Sequence, residues 1–168
     1  KALATGHVPC KHCQPARWLT KPENDAKSPL AEMLTATAER IANEPKSGDV
    51  RRAEYLLKAV SSNGDKNLRR AVARMLQVAC AEKAGDPRKL IKAAIVALGA
   101  VGDHEDVPVI AKLLSDSSFW DVRCYAAAAL GQIGGEGGLR ALASIESKEP
   151  YYFVRHWIQA ARLRLQAD

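Results

Sequence analysis

Two cysteines near the start of the sequence have the spacing that lets two thiolates bind one metal ion. Cys10 and Cys13 are separated by two residues, and His7 and His12 lie beside them. Both sulfurs can reach one tetrahedral zinc ion, with an imidazole as third ligand and another residue or chain as fourth. The same spacing suits a disulfide or two free thiols. The sequence therefore leaves three states open, namely disulfide, zinc site and free thiols, and predicts no other cofactor.

No other group of residues in the sequence has the pattern of a catalytic site. A covalent haem is disfavoured because such sites place histidine directly after the second cysteine, where this chain has Gln14. Cys124 has no histidine or carboxylate near it in sequence that could activate the thiol, and it is expected to point toward solvent or a neighbouring repeat. We therefore expect a protein that is not an enzyme.

Composition and charge limit the class of protein only broadly. The 168 residues are 47% hydrophobic and contain no apolar run long enough for a membrane span, so one folded domain is expected. The net charge of +6 is compatible with nucleic acid, acidic proteins or anionic membrane surfaces as partners. Because the sequence begins at Lys1 rather than methionine, a cytoplasmic and an exported location both stay open.

The second half of the chain repeats with a period of 32 residues. Five positions recur at this shift: Leu90, Leu98, Gly99, Val101 and Gly102 return as Val122, Leu130, Gly131, Ile133 and Gly134. A third copy begins at Val154. A fixed period of this length, carried by apolar residues at helical spacing, is typical of proteins built from stacked helical pairs.

The apolar spacing predicts an all-α fold of about eight antiparallel helices. The first begins at Ser28 and Pro29, the second is capped by Asp49, and the last four cover about residues 105–115, 121–133, 136–147 and 151–165. Residues 1–27 have no helical period and are interpreted as an irregular, cysteine-containing extension. Residues 28–168 are interpreted as a single repeat domain.

The recurring glycines and arginines also allow specific predictions. Gly99 and Gly131 are expected to permit close approach of a helix from the next repeat, whereas Gly102 and Gly134 are expected to end helices in the left-handed conformation. Arg123 follows Asp121 near a helix start and is interpreted as a solvated or cap-paired side chain. For the tryptophans, Trp157 is predicted to be a core residue and Trp120 a plug between repeats.

The segment from Asp121 to Gly134, DVRCYAAAALGQIG, resembles the HEAT-like repeat first described in phycobilisome lyases. The likeness is clear over about residues 86–165, degenerate over 28–85 and absent from 1–27. It implies a right-handed α-solenoid in which the second helix of each pair lines a concave surface, usually one that binds protein. Similar repeats in deoxyhypusine hydroxylases bind iron through several His-Glu pairs, whereas this chain has one such pair, at His104.

These observations favour a non-catalytic scaffold or adaptor module that binds another protein. The alternative is a nucleic-acid-binding solenoid with a basic face, since related repeats occur in DNA glycosylases. Its candidate contact residues are Arg51, Arg70, Arg74, Arg155 and Arg162. A third hypothesis is a metal-linked or redox-linked role of Cys10 and Cys13.

Overall fold

Eight α-helices follow one another along the chain in the computed structural model, which describes residues 28–81 and 86–167. They are α1 (Pro29–Asn43), α2 (Ser47–Asn63), α3 (Arg69–Ala81), α4 (Arg88–Val101), α5 (Val107–Asp116), α6 (Trp120–Ile133), α7 (Gly135–Glu146) and α8 (Tyr152–Ala167). A short 3₁₀ turn, Lys66–Leu68, precedes α3. These ranges contain no strand, which confirms the predicted all-α class.

The helices form two layers. The second helices of the four pairs, α2, α4, α6 and α8, pack side by side in chain order and form what we call the second-helix layer. Helix α1 packs on α3, and α5 on α7, in the first-helix layer. Each first helix also contacts the second helix of its own pair. This arrangement is the predicted HEAT-like solenoid; its right-handed twist stays a prediction.

One apolar stripe per helix supplies the core. Leu34, Ala38 and Ile41 recur at helical spacing on α1 and are fully or almost fully buried. The predicted stripes of the later helices are buried in the same way: Leu68, Val72, Met75 and Ala79 around α3, and Leu90, Ala94, Ala97, Leu98 and Val101 on α4. Every predicted stripe position on α3 and α4 is thus part of the core.

Two glycines allow neighbouring second helices to approach closely, as predicted. A Cβ atom added to Gly131 would lie 2.9 Å from Cβ and 3.1 Å from Cα of Ala161 on α8. One repeat earlier, a Cβ on Gly99 would lie 3.2 Å from Cα of Ala129 on α6. The two pairs of residues are both 30 positions apart, so α4 packs on α6 as α6 packs on α8.

The predicted helix ends are correct in part. Gly134 ends α6 with a positive φ of 83°, which favours glycine, but its ψ of −165° lies outside the predicted left-handed helical region. Gly102 ends α4 in an extended conformation with φ −71° and ψ 172°. Gly102 is required for space instead, because an added Cβ would lie 2.9 Å from Oδ2 of Asp106. The prediction of a left-handed cap at Gly102 was therefore wrong.

The predicted cap of α2 was also wrong. Helix α2 begins at Ser47, before Asp49, so Asp49 lies in the first turn rather than at the cap. There its carboxylate accepts a hydrogen bond from Nε of Arg40 at 3.0 Å and links α2 to α1. Ser28 occupies the cap position of α1 as expected, although its side chain makes no capping hydrogen bond.

Arg123 is buried, contrary to its interpretation as a solvated side chain. Its Nε donates to Oε2 of Glu149 at 2.8 Å and its Nη2 to Oε1 at 3.0 Å. Both side chains are less than a tenth exposed. The guanidinium also donates to the backbone oxygen of Ser117, and the ring of Tyr151 covers it. Arg123 thus joins the start of α6 to the loop before α8.

Asp86 at the start of α4 should titrate at unusually low pH. Hydrogen bonds from the Arg88 guanidinium, at 2.8 Å and 2.6 Å, and from the Arg88 backbone amide lower the pKa of Asp86 to about 2. Since the unfolded-state pKa is about 3.9, the ionised carboxylate stabilises the fold fully above that value, and the contribution disappears as the pH falls through about 2. We expect Arg88→Gln to raise the pKa of Asp86 toward its ordinary value in an NMR titration of the side-chain carboxyl. An unchanged pKa in that variant would contradict this cause.

Candidate functional site

The exposed aromatic residues of the described chain are concentrated on the second-helix layer and the turns that lead into it. Large apolar side chains are exposed on all four helices of this layer: Tyr55 on α2, Val96 on α4, Trp120 and Tyr125 on α6, and Tyr152, Phe153, Trp157 and Leu163 on α8. Among the described helices of the other layer, Met33 is the one large apolar residue with comparable exposure. The two layers therefore offer very different surfaces to a partner.

Packing leaves α4 and α6 one open face each. Both helices are flanked by second-layer neighbours and are backed by first-layer helices. After its first turn, α4 has Val96 as its one exposed residue; after Trp120, α6 has Tyr125 and Gln132. These residues mark the outward direction of the layer.

The repeat period aligns the aromatic residues across neighbouring helices. Tyr125 and Trp157 are separated by one period of 32 residues and occupy equivalent positions on α6 and α8. Because packed helices lie about 8 to 10 Å apart, side chains at equivalent positions are neighbours. The rings of Trp120 and Phe153 are in contact, with centroids 6.3 Å apart. We call the surface formed by Val96, Trp120, Tyr125, Phe153 and Trp157 the aromatic face.

A lysine and an aspartate lie at the edge of the aromatic face. The Lys92 ammonium lies 5.7 Å from the centre of the Tyr125 ring and 2.7 Å from Oδ2 of Asp121. Burial alone would raise the pKa of Asp121, but hydrogen bonds from Lys92 and from the Val122 amide hold this pKa below its ordinary value. The Asp121 carboxylate is thus ionised at neutral pH, and its hydrogen bond with Lys92 fixes the ammonium beside the ring.

Positive charge is concentrated on the same layer. Helices α2, α4, α6 and α8 contain ten Lys and Arg residues against three Asp and Glu, whereas α1, α3, α5 and α7 contain six against five. Four cations of this layer form no ion pair within the described chain, namely Arg52 and Lys58 on α2, Lys89 on α4 and Arg164 on α8. A partner on this face would therefore meet a positive surface around the rings.

The five arginines predicted as contact residues are not brought into one surface. Arg70 and Arg74 lie on α3, in the first-helix layer, whereas Arg51 lies on α2. On α8, Arg155 donates to the backbone oxygens of Glu149 and Pro150, and Arg162 pairs with Glu146. Arg155 and Arg162 thus stabilise the last repeat.

The structure describes Cys80 and Cys124 but not the two cysteines near the start of the sequence. Cys10, Cys13, His7 and His12 lie outside the described residues, so their zinc, disulfide and thiol states stay predictions. Within residues 28–81 and 86–167, no group of His, Cys, Asp and Glu residues could hold a metal ion. Cys124 is buried rather than solvent-facing, and this burial raises the pKa of its thiol.

The aromatic face was not found from the sequence. Trp157 was predicted to be a core residue, but it is 48% exposed, while its stripe neighbours Val154, Ile158 and Ala161 are buried. Trp120 was predicted to plug two repeats; it does contact Phe153 of the next repeat, yet 51% of it is exposed. The 32-residue period could have indicated that Trp157 is exposed. At this shift Trp157 corresponds to Tyr125, which lies outside the apolar stripe of α6.

None of the helices within residues 28–81 and 86–167 combines the length and the apolar character needed to cross a bilayer.

Comparison with known proteins agrees with the repeat architecture. A family model for HEAT repeats matches residues 78–162, about half of the chain, and such repeats commonly mediate interactions between proteins. No curated protein and no solved structure matches the chain. The likeness to the phycobilisome lyase subtype stays a prediction. With its matched residues spanning α4 to α8 in the expected two-layer arrangement, the chain belongs to the HEAT repeat family.

Proposed function

We propose that this protein is a non-catalytic interaction module that binds another protein through the aromatic face. One observation carries the proposal: half-exposed tryptophan, tyrosine and phenylalanine side chains cluster on the outward side of α6 and α8. Contiguous exposed apolar surface on a folded protein marks an interaction site, and tryptophan and tyrosine are enriched among the residues that dominate binding energy.

The exposed rings can supply useful binding energy. A tryptophan side chain buries on the order of 150 to 250 Å² when fully covered, so covering the exposed half of Trp120 or Trp157 would contribute about 2 to 3 kcal/mol each. Two such residues with Tyr125 are enough to dominate an interface of ordinary size. The helices fix the backbone of these residues before binding, which reduces the entropic cost of association.

Nucleic acid is the weaker candidate. Arg70 and Arg74 lie in a different layer from the aromatic face, and Arg155 and Arg162 are held by contacts inside the last repeat. A surface that tracks phosphates needs a row of available cations, because neutralised phosphates supply most of the affinity. The aromatic face offers apolar contacts first and cations at its edges.

Affinity capture with matched variants tests this function. The wild-type protein, the double variant Tyr125→Ala/Trp157→Ala and the control Met33→Ala would be immobilised and exposed to an extract of the cells from which the protein comes. Met33 is 41% exposed on α1, close to the 42% of Tyr125, so the control removes one comparably exposed apolar side chain from the other layer. Retained proteins would be quantified by mass spectrometry and the binding remeasured with the purified partner.

We expect the wild type and Met33→Ala to retain the same partner, and the double variant to bind it at least about 30-fold more weakly, since the loss of one dominant residue costs about 2 kcal/mol. Circular dichroism of all three proteins should show the same helical content, because the replaced side chains are exposed. If the wild type, the double variant and Met33→Ala retain each extract protein equally, a role for the aromatic face is contradicted.

A further inference from the structure

We infer that the aromatic face binds an acidic protein segment that carries apolar anchor residues. This inference rests on the proposed function and adds the chemistry of the partner. Two features of the described chain support it: the exposed cations at the ends of the aromatic face, and the small side chains that lie between the rings.

The cations lie at both ends of the aromatic face. Lys89 is in the first turn of α4 and, by the 32-residue period, is equivalent to Phe153. Arg164 is near the end of α8 and, by the same period, is equivalent to Gln132, which is exposed on α6. Because the second helices run in the same direction, these positions bracket Tyr125 and Trp157. A segment laid across the rings would therefore meet positive charge at each end.

The charge balance selects acidic partners over basic ones. Lys92 is the cation nearest to Tyr125, and the single acidic residue of α6, Asp121, is already hydrogen-bonded to it. Lys89 forms no ion pair within the described residues, although the Asp86 carboxylate, which pairs with Arg88, is near enough to attract it. Arg164 has no acidic partner in the same part of the chain. Complementary charge accelerates association and disfavours partners of like charge, so a lysine-rich segment would be rejected here.

The side chains between the two cations indicate that the partner contributes apolar anchor residues. One turn beyond Tyr125 and Trp157, the equivalent positions hold the half-buried Ala128 and the exposed Ala160. Small side chains beside large rings leave room for the aliphatic or aromatic side chains of a partner. A highly acidic segment without apolar residues would leave the rings in water and lose most of the available binding energy.

Selection from a random dodecapeptide library displayed on phage tests the inference. The wild-type protein would be the target, and the charge-reversal variant Lys89→Glu/Arg164→Glu the test of charge. Arg74→Glu serves as the matched control, because Arg74 is an exposed cation on α3 in the other layer. The Tyr125→Ala/Trp157→Ala variant tests whether peptide binding depends on the exposed rings. Selected peptides would be synthesised and their dissociation constants measured at low and moderate salt.

We expect peptides enriched in Asp and Glu with Trp, Phe or Leu. Their binding should weaken at least about tenfold in Lys89→Glu/Arg164→Glu, and less strongly at higher salt, where the charges are screened. Arg74→Glu should bind them like the wild type. Replacing the acidic residues of a selected peptide with glutamine should reproduce the loss seen with the charge reversal.

The remaining outcomes separate the inference from the proposed function. Peptides that depend on Tyr125 and Trp157 but show no acidic preference would overturn the inference and leave the interaction module intact. If no selected peptide depends on these rings, both fail. A single-stranded 20-nucleotide DNA or RNA probe that binds the wild type and is lost in the ring variant would overturn the inference in favour of nucleic acid.

Discussion

Replacing Glu149 with alanine is expected to lower the free energy of unfolding by about 3 to 5 kcal/mol, because it leaves a buried guanidinium without its counter-ion. The side chains of Arg123 and Glu149 are 7% and 4% exposed, and two hydrogen bonds join them. Glu149 also accepts a hydrogen bond from the Tyr151 amide at 3.0 Å. One side chain thus stabilises the pair and the loop that leads into α8.

Urea unfolding, monitored by circular dichroism, measures this loss of stability. Two further variants serve as comparisons. Glu136→Ala removes one partner of the exposed pair with Arg140, whose side chains are 78% and 73% exposed, and should cost at most about 1 kcal/mol. The double variant Arg123→Met/Glu149→Leu should be less destabilised than Glu149→Ala, since apolar replacement removes the unpaired charge. A similar cost for Glu149→Ala and Glu136→Ala would show that burial of the pair is not important.

The variant Gly131→Leu is expected to destabilise the protein by about 3 kcal/mol, at the upper end of the range for overpacked sites. A Cβ at this position already lies 2.9 Å from Cβ of Ala161, and the nearest backbone atom of α8 is 3.1 Å away. Backbone atoms cannot move aside as a flexible side chain can. The added leucine would therefore push α8 away from α6 and expose part of the core between them.

Gly48→Leu is the matched control for this experiment. Gly48 lies in the first turn of α2, and a Cβ added there meets nothing within 4 Å. Its effect should stay within about 0.5 kcal/mol, as for other exposed substitutions. Gly131→Ala should fall between the two, because the gain of up to about 1 kcal/mol in helix propensity offsets part of the clash. Equal stability of Gly131→Leu and Gly48→Leu would disprove close packing of α6 and α8.

Both predictions depend on contacts between repeats, and the sequence anticipated only one of them. Recurrence of Gly99 and Gly131 at the repeat period indicated close helix packing, because glycine inside a helix is unfavourable unless space requires it. Arg123 gave no such signal. Its partner Glu149 is 26 residues further on, in a loop with no repeated pattern, and a charged residue near a helix start ordinarily faces solvent.

The sequence by itself determined the helices and the core of this protein. The stripe of Leu90, Ala94, Leu98 and Val101 predicted the buried side of α4, and the bounds of the last four helices agree with the structure within two residues. Helical periodicity is a local property, so each segment shows which of its sides is apolar. The 32-residue period then required that the pairs stack as HEAT-like repeats.

Only the tertiary structure decided which exposed residues share a surface. Trp120 and Phe153 belong to different repeats, and their contact depends on how α6 and α8 lie beside each other. For the same reason, Arg70 and Arg74 lie in a different layer from the arginines of α8. Core positions are constrained by the backbone period, whereas surface positions acquire neighbours only after the helices pack, and this protein's candidate site consists of such positions.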